Sequence, residues 1–224
     1  MQYTIRRASA PLGNPGAGWD GPAFTDAETL EIANYRWEDS GHHPPTAARV
    51  IYDDDYLAII YRVEDQYVRA VARKFQDGVC GDSCVEFFVA PVSGLDAYFN
   101  FEVNCGGTML VRRMVAEDEK ADGKENMPLT EQEWERIPMA TSLPAIVDPE
   151  IAELTTWTVE YHLPLDLFES YFGISRPAPG TQWRANFYKC ADRTSHPHWG
   201  SWAPVETATP SFHAPAFFQP LFFA

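Results

Sequence analysis

A chain of 224 residues that is 45% hydrophobic and 14% aromatic has enough apolar mass for a sizeable core, and a single domain over residues 1–224 is expected. Its 32 acidic residues against 17 basic ones give a formal charge of −15; such a surface repels a phosphate backbone and argues against a nucleic-acid partner, leaving neutral or cationic ligands. No apolar run has the length of a signal peptide or a membrane span, and the four cysteines are sparse and without a paired CxxC pattern, so free thiols, no membrane insertion and a cytoplasmic location are expected.

Residues 8–23 read as a long Pro- and Gly-rich loop. Period-two alternation, the mark of half-buried strands, then runs through "ARVIYDD", "YLAIIYRVED", "SCVEFFVAP", "AYFNFEVNCGG" and "TMLVRRM", with Asp53 to Asp55 as the turn between the first two. A second long loop, 116–150, alternates charge with Pro and has room for a helical turn near Trp134. The strands "TTWTVEYHLP" and "QWRANFYKCAD" follow, separated by one short helix in "PLDLFESYFG", where Leu165, Phe168 and Phe172 share a face. The Phe-rich tail "PSFHAPAFFQPLFF" reads as a closing strand that Pro220 confines to an edge or a bulge. Many short strands at this spacing imply an all-β fold, an antiparallel β-sandwich of jelly-roll or immunoglobulin-like type with one short helix.

Alternation also sorts the side chains, because neighbours on a strand point to opposite faces. Phe99, Phe101, Val103 and Cys105 belong to a core face, which leaves Glu102 and Asn104 on the other. By the same rule Glu86, Glu160, Arg184 and Asn186 are outward. If these strands are neighbours in one sheet, the outer face is a row of carboxylates and amides, followed after Asp192 by the loop "SHPHWGSW" with Trp199 and Trp202. A pyranose offers C–H groups on its face and hydroxyls on its rim, so an aromatic plane beside such a row suits a saccharide. The candidate ligand-binding residues are therefore Glu86, Glu102, Asn104, Arg184, Asn186, Trp199 and Trp202. The competing readings are a solvated sheet face with cross-strand ion pairs, and tryptophans that cover the sheet end.

The order "RVIYDDDYLAIIYRVED", "DSCVEFFVAP", "YFNFEVNCGGTML", "WTVEYHLPLDLF" and "WRANFYKCAD" resembles the family 9 carbohydrate-binding modules, over roughly residues 45 to 223. The resemblance implies a β-sandwich that binds glycans without catalysis of its own, calcium in some members, and attachment to a glycoside hydrolase. It also implies two tryptophans around a terminal sugar, with polar side chains on its hydroxyls. Glu86 and Asn104 fall on matching positions and Trp199 on one tryptophan, whereas Glu102 stands where an Arg occurs. No tryptophan precedes Asp82, and Phe75 or Tyr188 is the candidate substitute.

Two other functional classes stay open. Glu86 and Glu102 on adjacent strands meet the carboxylate spacing of a glycoside hydrolase, as many harmless pairs do. A sandwich that binds another protein, with Phe217 or Phe223 exposed, is the other. "HPH" at 196–198 near Cys190, Asp192 and His213 has ligand-capable groups but not the spacing of a structural zinc site.

Overall fold

The structure is a computed structural model that describes residues 1–37 and 39–224. In chain order the strands are β1 (Tyr3–Arg7), β2 (Leu30–Ile32), β3 (Thr46–Tyr52), β4 (Tyr56–Asp65), β5 (Val68–Ala70), β6 (Cys84–Ala90), β7 (Tyr98–Asn104) and β8 (Met109–Met114). They continue with β9 (Met127–Pro128), β10 (Met139–Thr141), β11 (Val147–Ile151), β12 (Thr155–Pro164), β13 (Gln182–Cys190), β14 (Trp199–Ser201) and β15 (Gln219–Phe223). The α-helices are α1 (Glu117–Ala121), α2 (Glu131–Trp134) and α3 (Leu165–Phe172).

Two layers face each other. The front layer runs β15-β13-β6-β7-β8-β9, with β14 paired to the end of β13, and the back layer runs β10-β12-β4-β3 with β2 on β3. β1 passes from one to the other, since Tyr3, Thr4 and Ile5 pair with β15 while Arg6 and Arg7 pair with β3. Between the layers lies one core to which the alternate residues contribute: Phe87, Phe101 and Phe187 from the front, Tyr61, Trp157 and Tyr161 from the back. The Tyr61 hydroxyl crosses the layers to the Glu86 carbonyl at 2.8 Å. The expected all-β sandwich is the observed fold.

The turn Asp53 to Asp55 forms as expected. Asp53 accepts from the Asp55 and Tyr56 amides, each at 2.8 Å, and Arg7 and Arg176 pair with Asp54 and Asp55. α3 ends at Gly173, whose φ of 65° is the left-handed conformation that a glycine accepts without strain. Segment 116–150 is more ordered than expected. It pairs β9 with the free side of β8 and β10 with that of β12, so it covers an edge of each layer. α1 and α2 are single turns within it: α2 is the helical turn expected near Trp134, and α1 is additional.

Three features differ from the alternation pattern. The outer face of the front layer is not solvated: every residue of β6 and β7 is buried. The chain from 203 to 218 lies over it and builds a second apolar cluster with Phe88, Tyr98, Tyr188, Val205, Phe212 and Phe218. The 8–23 loop, with Phe24 directly after it, does the same for the back layer, where Leu12, Trp19 and Phe24 pack on Ile51 and Ile60. Finally, β15 is internal, between β1 and β13, not an edge strand. Pro220 stands opposite Arg184 of β13, and on its other side it has no partner, because β1 begins pairing only at Leu221.

Candidate functional site

β6 and β7 pair in register with Glu86 opposite Glu102, and β13 on the other side of β6 brings Cys190 next to them. Beyond Cys190 the chain turns through 191–198 and returns as β14, which places Trp199 opposite Cys190. The turn is tied down by the Asp192 amide on the Cys80 carbonyl at 2.9 Å and by the Trp199 indole on the Asp192 carboxylate at 2.8 Å. The result is a pocket of about 220 Å³ whose floor is Glu86, Phe88, Glu102 and Cys190. Trp199, Asp192 and Cys80 form one wall, and residues Pro210 to His213 form another.

The electrostatics of the floor follow from burial. Desolvation, and then the neighbouring Glu102, push the Glu86 carboxyl well above the usual carboxylate range. Desolvation raises Glu102 to about 7, against the Asn100 amide and the Arg112 charge, which pull downward. Glu86 accepts from the Cys190 thiol at 3.0 Å and Glu102 from the Asn100 amide at 2.8 Å. A carboxyl that keeps its proton donates as well as accepts. The pocket floor therefore matches hydroxyl groups, which do both. His213 is also held neutral by burial, with its Nδ1 at 2.8 Å from the Tyr98 hydroxyl.

Of the seven candidate residues, Glu86, Glu102 and Trp199 meet at this pocket. The other four are used by the fold. Asn104 closes the turn after β7 by accepting from the Gly106 and Thr108 amides, and it donates to Asp82 at 2.9 Å. Asp82 in turn accepts from the Val71 and Ala72 amides, while the Ser83 hydroxyl accepts from the Arg69 amide. The Asp-Ser pair of "DSCVEFF" is thus a brace, and Glu86 and Phe88 are the residues of that motif that reach the pocket. Asn186 holds both the N–H and the C=O of Ala203. Arg184 reaches Asp96 and the Pro215 carbonyl. Trp202 turns into the core and packs against Phe187 with ring centroids 5.7 Å apart.

Glu160 belongs to the back layer. Its carboxylate accepts from the Gly16 and Ala17 amides of the N-terminal loop and meets His162 at 2.8 Å. The candidate aromatic substitutes also lie outside the pocket lining: Phe75 stacks on Trp134, and Tyr188 stacks at 4.0 Å on Phe212. Phe88 and Phe212 are the pocket's other aromatic surfaces. Phe88 was legible as an outward position of β6, but nothing in the pattern of 210–213 assigns that segment to this face. The histidines of "HPH" point elsewhere: His198 bonds to Lys189 at 2.8 Å and His196 stacks on Tyr67.

A sequence model described as carbohydrate-binding family 9 matches residues 23–223. The chain belongs to carbohydrate-binding family 9. None of the curated proteins matches it. Among solved structures, a proposed carbohydrate-binding protein from Bacteroides uniformis is similar over 100% of this chain and 99% of its own, with 28% identity and a TM-score of 0.85. A family 9 module from Caldicellulosiruptor kristjanssonii, solved in complex with cellotriose, is similar over 100% of this chain and 93% of its own, with 12% identity and a TM-score of 0.62. The same module in complex with glucose gives 11% identity, a TM-score of 0.62 and coverage of 100% and 96%. At these identities the last two share the fold with this family 9 chain.

Proposed function

We propose that the pocket between Trp199, Glu86 and Glu102 is where this protein binds carbohydrate, one sugar unit at a time and without transforming it. Carbohydrate binding follows from family membership. The site within the fold is supported by one observation: two buried carboxyls pushed towards their protonated forms and one indole plane converge on a single pocket. The volume of about 220 Å³ is below the ~300–1,000 Å³ of sites for drug-sized ligands, which suits a single ring with its chain continuing outward. The glucose and cellotriose held by the Caldicellulosiruptor module make gluco-configured sugars the first to try.

Binding is favoured over hydrolysis by the same electrostatics. Glycoside hydrolysis uses two carboxyls whose environments push their pKa values apart. Burial pushes Glu86 and Glu102 in one direction. Action beside a glycoside hydrolase is part of this proposal on the strength of the sequence resemblance, and cytoplasmic residence on that of four free thiols.

Isothermal titration with glucose and cello-oligosaccharides is the test. Saturable binding that Trp199→Ala and Glu86→Gln each weaken at least tenfold, with melting temperatures preserved, supports the site. Wild-type binding that neither substitution alters places the sugar elsewhere.

A further inference from the structure

Cys84 and Glu86 are two residues apart on β6 and so share its outer face, and Cys190 is the register partner of Cys84 on β13. One donor atom from each, two thiol sulfurs and a carboxylate oxygen, lie within 4.8 Å of one another, and all three residues are buried. The Cys190 sulfur is 3.0 Å from Glu86 Oε1. β6 is paired on both sides, by β7 and β13, so the backbone that carries two of the donors cannot spread.

We infer that Cys84, Cys190 and Glu86 form a binding site for a thiophilic divalent cation, zinc in the first place, at the base of the pocket. With Zn–S near 2.3 Å and Zn–O near 2.0–2.2 Å, tetrahedral donors stand about 3.5–3.8 Å apart. The observed triangle needs only rotamer-scale adjustment to reach that. Two sulfurs and one oxygen select zinc over calcium or magnesium, which take oxygen alone. The fourth position opens on the pocket, where Cys80 and Asp192 both line the wall; one of them or a water completes the coordination. Cys80 and Cys190 line the cavity and Cys84 is the register partner of Cys190, while the fourth cysteine, Cys105, lies in the inner core.

Binding requires the two thiols and the Glu86 carboxyl to lose their protons: Zn²⁺, two R–SH and one R–COOH give [Zn(SR)₂(O₂CR)]⁻ and three H⁺, with no change of oxidation state. Affinity therefore rises with pH. The inference does not depend on sugar binding, since Glu86 can ligate a metal whether or not a sugar enters.

The experiment is a Co²⁺ titration of the reduced, metal-free full chain, with free thiols counted beforehand. One equivalent is expected to produce the thiolate-to-cobalt charge-transfer band and the visible bands of tetrahedral cobalt, and Zn²⁺ is expected to bleach both. Cys84→Ser and Cys190→Ser should each weaken binding at least tenfold and lower the charge-transfer intensity, whereas Cys80→Ser changes it less. X-ray absorption of the zinc-loaded wild-type protein should show at least two sulfur neighbours, and it decides the matter if the serine variants fail to fold. Absence of a charge-transfer band in fully reduced wild-type protein overturns the inference. So does a band retained in folded Cys84→Ser/Cys190→Ser protein, or a zinc shell of nitrogen and oxygen alone.

Discussion

Trp199 and Trp202 stand three residues apart and go to opposite destinations: the first to the pocket wall with its indole on Asp192, the second to the core against Phe187. Replacing each by alanine separates the two roles. Trp199→Ala is expected to lower sugar affinity at least tenfold and leave the melting temperature nearly unchanged, because this half-buried ring contributes little to the core. Trp202→Ala is expected to cost about 3–5 kcal/mol of stability, as large-to-small core substitutions do. Calorimetric titration and urea unfolding read the pair; a large stability loss in Trp199→Ala would assign that ring to packing.

The Asn186 amide acts as a substitute strand for Ala203, bonding its N–H and its C=O at 2.9 and 3.0 Å. Asn186→Ala leaves both groups buried without partners, at an expected cost of about 1–3 kcal/mol for each group that stays dry. Ala203 begins the segment that carries Phe212 and His213 over the pocket, so sugar affinity should fall as well. Hydrogen exchange at the Ala203 amide is the direct probe, and unchanged protection would refute this role.

Gly200 is required by Tyr35. A Cβ at position 200 would stand 2.7 Å from two carbons of the Tyr35 ring, so Gly200→Ala is expected to destabilise by about 1–3 kcal/mol. Tyr35→Ala removes the obstacle, and the double variant should be more stable than the sum of the single losses implies. Strict additivity in a double-mutant cycle would show that the ring is not the constraint.

Acid sensitivity follows from the ion cluster behind β13. Buried Lys189 lies 2.8 Å from His198 and 3.3 Å from Asp65, and Asp65 also holds His42 at 2.8 Å. Burial first, then the Lys189 charge, lowers His198 to about 3. An unfolded histidine takes its proton near 6.5. Between those values the unfolded chain holds a proton that the folded chain refuses, so stability falls as pH drops from 6.5 towards 3, by up to about 1.4 kcal/mol per pH unit. Asp65 adds in the same direction at lower pH. Burial pushes it up, but Lys189 and His42 together hold it at about 2, so its contribution is lost between about 4 and 2. His198→Gln should flatten the slope between pH 6.5 and 4 by one proton. Urea midpoints across that range decide it, and parallel curves for the two proteins would refute the assignment.

What the sequence by itself determined is whatever depends on local period and turn chemistry. Alternation placed the core residues of β6, β7, β12 and β13, the acidic turn at 53–55 joined β3 to β4, and Leu165, Phe168 and Phe172 marked α3. The outward parity of Glu86 and Glu102 was legible for the same reason, because a strand's side chains alternate whatever surrounds them. Only the tertiary structure decided which outward residues share a face and what covers them. Glu160 has the right parity but sits on the other layer. Asn104 and Asn186 have the right parity and layer, yet their amides are taken up by backbone groups near in space, at Thr108 and Ala203. Period carries no record of the 203–218 segment folding back over the front layer, which buries that face and closes the pocket. Parity is a property of one strand, whereas a binding site is a meeting of several, and long-range packing alone selects which of them meet.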